Sequence, residues 1–294
     1  MKIAIIFIIA VSILLLLNVI LGLTLSILIS RPKTKSYIDY YFFSPFETGV
    51  PSEKVAFETE DGLTLRGWLL PGRDNRAVIC LCGRMGTKSD LLGVGSCLNR
   101  AGYNVLLFDY RGCGESDSST MSMGQLERMD VKAAVDFIVK KIPSPRIGII
   151  GFSMGASLGI VHASTDKRIS ALVCDSPFTS SEELILNRIR RFFPLPLFLL
   201  RPLTRLFTKF LFGYDNRGLD VKGSAKRLSL KNLLVVVSEK DCVIEPSQQR
   251  EIFDAASHPK EVWKLEDADH CGAYFLNRGE YVSRVAAFFD DALS

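Results

Sequence analysis

The sequence predicts an α/β protein in which a mostly parallel central sheet carries helices on both faces. Three observations lead there. Downstream of residue 76, short apolar runs of strand character alternate with longer runs of helical period, the signature of successive strand–helix–strand crossovers. The strand runs are apolar at nearly every position, as at 77–82 and 232–238, which suits strands covered on both sides. The remaining elements bracket this pattern without repeating it, and no internal repeat is visible.

Taken in chain order, Ile3 to Ile29 comes first. It is interrupted only by Ser12, Asn18, Thr24 and Ser26. This run exceeds the roughly 20 residues that cross a bilayer core. It is too long for an ordinary signal-peptide core, and no Ala-x-Ala site closes it. Residues 1–30 therefore read as a transmembrane anchor and the lipid membrane as a partner. Arg31, Lys33 and Lys35 follow the span, against Lys2 before it. The excess of positive charge predicts a cytoplasmic location for the following domain. The seven cysteines, an odd number scattered over strand and helix runs, agree with free thiols in a reducing compartment.

Residues 31–52 read as a linker carrying Tyr37, Tyr40, Tyr41, Phe42 and Phe43, aromatics suited to a membrane interface or to packing on the domain. The domain itself covers 53–294. Lys54–Thr59 and Leu63–Leu70 form a hairpin around Glu60-Asp61-Gly62. Further strands fall at 77–82, 104–109, 146–151, 170–175 and 232–238, with a weaker one at 261–266. Helices fall near 89–100, 123–141, 154–165, 246–257 and 277–292. Residues 178–230 are too long for a simple crossover and read as a helical cap over the end of the sheet. From Leu184 to Phe212 there is no acidic residue, while Arg188, Arg190, Arg191, Arg201, Arg205 and Lys209 lie among Leu and Phe. Such a cap suits either a lipid interface or a lid whose apolar side covers the sheet.

Composition narrows the function. Hydrophobic residues make up 48% and charged residues 23% of the chain, a globular balance. The net charge of +4, without a basic tail or zinc-finger spacing, gives no basis for nucleic-acid binding. Cys80 and Cys82 share one strand face but have no second pair at zinc spacing. No metal or cofactor is expected.

The decisive motif is Gly151-Phe152-Ser153-Met154-Gly155. It follows an apolar strand and opens a helical run, the context of an exposed nucleophilic serine. The flanking glycines let strand and helix approach and permit a strained turn. The null case is a tight turn with an idle serine. Serine needs a base, and the chain has three histidines. His162 lies inside the helix that follows Ser153, and His258 sits in a polar turn. His270 falls in a loop at the carboxyl end of the last strand, so it is the base. An acid must orient that histidine. Asp241, in the loop after strand 232–238, is the first choice; Glu239 and Asp175 are rivals. The developing oxyanion needs two donors. Met154 N–H follows the serine directly, and Arg84 N–H lies in Cys82-Gly83-Arg84-Met85-Gly86 after strand 77–82.

Taken together, these segments resemble the α/β-hydrolase superfamily, and within it the serine aminopeptidase-like or lysophospholipase-like serine hydrolases. The resemblance spans about 53–292. Asp109-Tyr-Arg111-Gly112-Cys-Gly114-Glu-Ser116 is similar to that family's D-x-R-G-x-G-x-S loop. The acid loop around Asp241 and the histidine loop Asp269-His270-Cys-Gly272 are similar too. The chain departs from the family's common His-Gly at Cys82-Gly83, and from its usual glycine at Ser238. The resemblance implies an α/β-hydrolase fold and the order Ser153, Asp241, His270. With the anchor and cap, the expected activity is hydrolysis of an acyl ester or thioester. Two readings compete: a peptide or amide hydrolase of the serine aminopeptidase type, and an idle acyl-binding or scaffold protein.

Overall fold

A computed structural model describes residues 2–34, 43–190, 200–230, 232–257 and 259–294, the side chains of 186–190 excepted. The chain enters as a 29-residue helix, α1 (Lys2–Ser30), followed by a short turn of helix, α2 (Pro45–Thr48). The hairpin then forms from β1 (Glu53–Glu58) and β2 (Thr64–Leu70), paired antiparallel from Glu53↔Leu69 to Glu58↔Thr64. Alternation follows: β3 (Arg76–Leu81), α3 (Leu92–Arg100), β4 (Asn104–Phe108), α4 (Glu127–Lys141), β5 (Arg146–Phe152), α5 (Met154–Ala163) and β6 (Ile169–Asp175). The long insertion carries α6 (Ser181–Arg190), α7 (Leu200–Phe212) and α8 (Val221–Ala225). The chain closes with β7 (Asn232–Ser238), α9 (Pro246–Ala255), β8 (Lys260–Leu265), α10 (Ala273–Leu276) and α11 (Arg278–Ala292).

The eight strands form one sheet in the order β1-β2-β4-β3-β5-β6-β7-β8. Only β2 runs antiparallel to its neighbours; the strands from β4 to β8 are parallel. The burial explains the sequence pattern. Strand β4 is buried at every position and β7 at all but Asn232, because helices cover both faces. Strand β8 lies at the edge and buries only Trp263 among its residues, which accounts for its weaker signal.

The largest boundary difference from the expectation lies at the start of α4. Helix α4 begins at Glu127 rather than 123. The buried Glu127 carboxylate accepts from Ser122 N–H, Ser122 Oγ and Gly124 N–H, at 2.8, 2.7 and 2.8 Å. These bonds hold a left-handed turn at Met123 and Gly124 that no helix can include. The family-like loop after β4 is likewise held by buried charge. Arg111 bonds Asp130 Oδ1 at 2.8 Å and Asp61 Oδ2 at 2.8 Å, and Lys88 N–H bonds Asp109 Oδ1 at 2.8 Å.

Helix α1 buries one stripe and exposes the rest. Asn18, Gly22, Ser26, Ile29 and Ser30 are buried, while Ile6, Phe7, Ile13, Leu16 and many like them are exposed. The stripe meets α7, where Leu200, Thr204 and Thr208 are buried. A Cβ on Gly22 would lie 2.9 Å from Leu203 Cβ, and Ser26 Oγ donates to Thr204 O at 3.2 Å. Small side chains thus let the two helices approach closely, the packing that suits an apolar surrounding.

Candidate active site

The site lies where β5, β7 and β8 end at their carboxyl edge. Ser153 has φ 54° and ψ −115°, a strained conformation for a residue with a Cβ. The flanking glycines make the turn possible. A Cβ at Gly151 would lie 2.5 Å from the Gly155 carbonyl carbon, and one at Gly155 would collide with the carbonyl oxygens of Leu81 and Cys82. The Ser153 N–H is held by Asp175 O at 2.8 Å. The turn therefore rests on β6 as well as on β5 and α5.

His270 links two partners. Its Nε2 lies 3.0 Å from Ser153 Oγ, and its Nδ1 lies 2.8 Å from Asp241 Oδ2. The Asp241 side chain is fully buried, and that of His270 keeps 21% exposure. Every Asp241 lone pair that a buried carboxylate must satisfy has a donor. Oδ1 accepts from Val243 and Ile244 N–H, both at 2.8 Å, and Oδ2 accepts from Gln249 Nε2 at 2.8 Å as well as facing the imidazole. Asp269 ties the two loops together: its Oδ1 accepts from His270 N–H at 2.7 Å and Cys242 N–H at 3.1 Å. These backbone donors hold the Asp269 carboxyl below the usual range.

The rival residues lie elsewhere. Glu239 pairs with Arg250 at 2.6 Å. Asp175 is fully buried and accepts from Ser176 Oγ at 2.9 Å and Tyr281 OH at 3.0 Å rather than touching His270. Burial pushes its carboxyl up to about 6. His162 is buried in α5 and lies 3.1 Å from Asp166. His258 lies outside the described residues.

Of the two expected oxyanion donors, one follows Ser153 directly and the other lies in the loop after β3. Met154 is the first residue of α5, and a first-turn N–H has no acceptor within its own helix. Arg84 follows Gly83, where a Cβ would lie 3.7 Å from Ser153 Cβ; Met85, next in the loop, has φ 60°. Among the described residues no cluster of His, Cys, Asp and Glu could hold a metal ion.

Gln249 escaped the sequence reading, and it is fully buried. Besides its bond to Asp241, it donates to Ile244 O at 3.2 Å and accepts from Ser238 N–H at 3.0 Å. The signal was a glutamine in the opening turn of the helix after the acid loop. It carries weight only once that turn is known to face inward.

Comparison with known proteins supports the architecture. The alpha/beta hydrolase fold family matches residues 76–210. The uncharacterized protein YqkD of Bacillus subtilis is 28% identical over 253 residues, covering 84% of this chain and 82% of its own length. A polyketide transferase, ATR5 of Stachybotrys chlorohalonatus, is 26% identical, covering 80% of this chain and 98% of its own. Among solved structures, the Pyrococcus furiosus esterase Pf2001 superposes with a TM-score of 0.73 at 25% identity, over 90% of this chain and 100% of that one. The chain has the α/β-hydrolase fold and is similar to proteins of that fold over most of its length.

Proposed function

We propose that this α/β hydrolase is a membrane-anchored serine hydrolase that cleaves acyl esters or thioesters through an acyl-enzyme. One observation carries the reading: the unbroken line of hydrogen bonds from Ser153 Oγ through His270 to the buried Asp241 carboxylate. Ser153 Oγ attacks the acyl carbon while His270 Nε2 takes its proton. Asp241 holds the imidazole in the tautomer with Nδ1–H and stabilises the imidazolium that forms. The N–H groups of Met154 and Arg84 take the oxyanion. His270 then returns the proton to the departing alcohol or thiol, and a water molecule, activated by the same imidazole, releases the acid.

Helix α1 is the anchor. Twenty-nine residues at 1.5 Å rise give a length of about 43 Å, longer than the bilayer core. The exposed turns before Asn18 lie in the bilayer, and the stripe from Asn18 to Ser30 docks on α7 at its margin. The charge distribution around the span favours a cytoplasmic catalytic domain.

Labelling of the full-length protein in membranes with a fluorophosphonate tests the reading. The wild type takes the label, and Ser153→Ala does not. Labelling retained in that variant would place the nucleophile elsewhere. Turnover of matched esters, thioesters and amides of graded acyl length then separates the expected acyl hydrolase from an amidase.

A further inference from the structure

A helix ends with four carbonyls that its own backbone cannot satisfy. In a simple tether these face water. In α1 each is taken by the protein. Arg31 N–H donates to Ile27 O at 2.8 Å, and Met121 N–H donates to Ser30 O at 3.0 Å. The other two accept from one side chain: Arg84 Nη2 donates to Leu28 O at 2.8 Å and to Ile29 O at 3.1 Å. Ser30 Oγ adds a contact with Tyr214 OH at 3.1 Å.

Arg84 is an unusual choice for a merely structural clamp. Among the described residues no carboxylate forms an ion pair with it, and its Nε is buried without a hydrogen-bond partner. Burial lowers the basicity of its guanidinium. What the guanidinium does face is the negative end of the α1 dipole, where a cation is favoured. Arg84 is also the residue after Gly83, where an added Cβ would lie 3.7 Å from Ser153 Cβ.

We infer that the last turn of α1 is a positioning part of the active site: Arg84, by gripping the Leu28 and Ile29 carbonyls, fixes the loop that presents its own N–H to the oxyanion. The inference rests on the serine-hydrolase reading above. Its consequence is that hydrolysis depends on α1 being seated on α7, and the anchor is a working component rather than a leash. An oxyanion donor acts only where its N–H points at the developing charge, and a small displacement of a reacting group lowers turnover steeply. Arg84 is a positioning residue here, acting through its own backbone.

The test uses the full-length protein in detergent micelles with p-nitrophenyl acetate, each preparation titrated to completion with fluorophosphonate so that turnover is counted per reactive serine. Arg84→Ala should lower kcat about 10- to 100-fold with little change in KM, and Arg84→Lys should recover part of the loss. Gly22→Leu wedges α1 off α7 without touching the catalytic domain's loops, and should lower kcat about 3- to 10-fold. The double variant Gly22→Leu/Arg84→Ala should be no worse than Arg84→Ala alone, because both break one linkage. Wild-type turnover per serine in Arg84→Ala, whatever the number of serines labelled, would overturn the inference. So would losses that simply multiply in the double variant. A wild type that neither takes the label nor hydrolyses the ester would instead overturn the serine-hydrolase reading itself.

Discussion

Gln249 Nε2 donates at 2.8 Å to the same Asp241 oxygen that His270 Nδ1 meets at 2.8 Å. The amide holds the oxygen that the imidazole meets, while the loop amides of Val243 and Ile244 hold the other. Because Gln249 also receives Ser238 N–H, the end of β7 and the start of α9 are locked by one side chain.

Gln249→Leu should therefore weaken both stability and turnover. It strands the Ser238 N–H and removes one donor from Asp241, at a cost of about 1–3 kcal/mol in urea unfolding. Turnover should fall about tenfold as the imidazole loses its fixed partner. Gln249→Glu should be worse in turnover, since a second carboxylate then faces Asp241. Equal kcat for wild type and both variants would remove Gln249 from the site.

The histidines separate by geometry. His270→Gln should reduce turnover by about three to four powers of ten, since the triad acts as a unit. His162→Gln should leave turnover within about twofold, since His162 meets Asp166 rather than Ser153. Steady-state kinetics on one soluble ester compares the two directly.

Asp175 gives a pH dependence with a defined sign. Its carboxyl is raised by burial to about 6 from an ordinary 3.8, so the folded state holds this proton more tightly than the unfolded chain. The stability it contributes is present in full below about pH 4 and is lost as pH rises through about 6. Asp175→Asn keeps an acceptor for Tyr281 and removes the titration. The difference between wild-type and variant unfolding free energies should shift toward the variant by on the order of 1–3 kcal/mol between pH 4 and pH 7. A difference independent of pH would show that Asp175 holds no proton in the fold.

Cys242 offers a readout of membrane orientation. Its thiol is exposed, whereas Cys80, Cys82, Cys113 and Cys174 are buried. With the catalytic domain in the cytoplasm, a membrane-impermeant maleimide should leave intact cells unlabelled and label the protein after permeabilisation. Most of that signal should vanish in Cys242→Ser. Labelling of intact cells would reverse the orientation.

The parallel sheet, the serine turn and the long apolar N-terminal helix were legible in the sequence because each is a local pattern. Runs that are buried on both faces must be apolar throughout, a strained turn needs glycines on both sides of Ser153, and an N-terminal run longer than a bilayer core stands apart from any amphipathic helix. The start of α4 was misjudged by four residues because helical period continues through Met123 and Gly124, and only the Glu127 carboxylate, folding back on Ser122, stops it. The meeting of Ser153, Asp241 and His270 followed from strand order, since consecutive parallel strands deliver their loops to one edge. The aromatic linker residues Tyr37, Tyr40, Tyr41 and Phe42 and the basic residue Arg191 fall outside the described residues. Of the other cap arginines, Arg201 and Arg205 pair with Glu182 and Asp215 at 3.2 and 3.0 Å. Their carboxylate partners lie just outside residues 184–212, so a charge count of that segment omits them. Gln249 behind Asp241, the Tyr281 hydroxyl on Asp175 and the Arg84 grip on α1 were decided by tertiary structure alone. Each turns on a single side-chain direction, and one chain's residue order fixes spacing along the backbone but not which way a side chain points after packing.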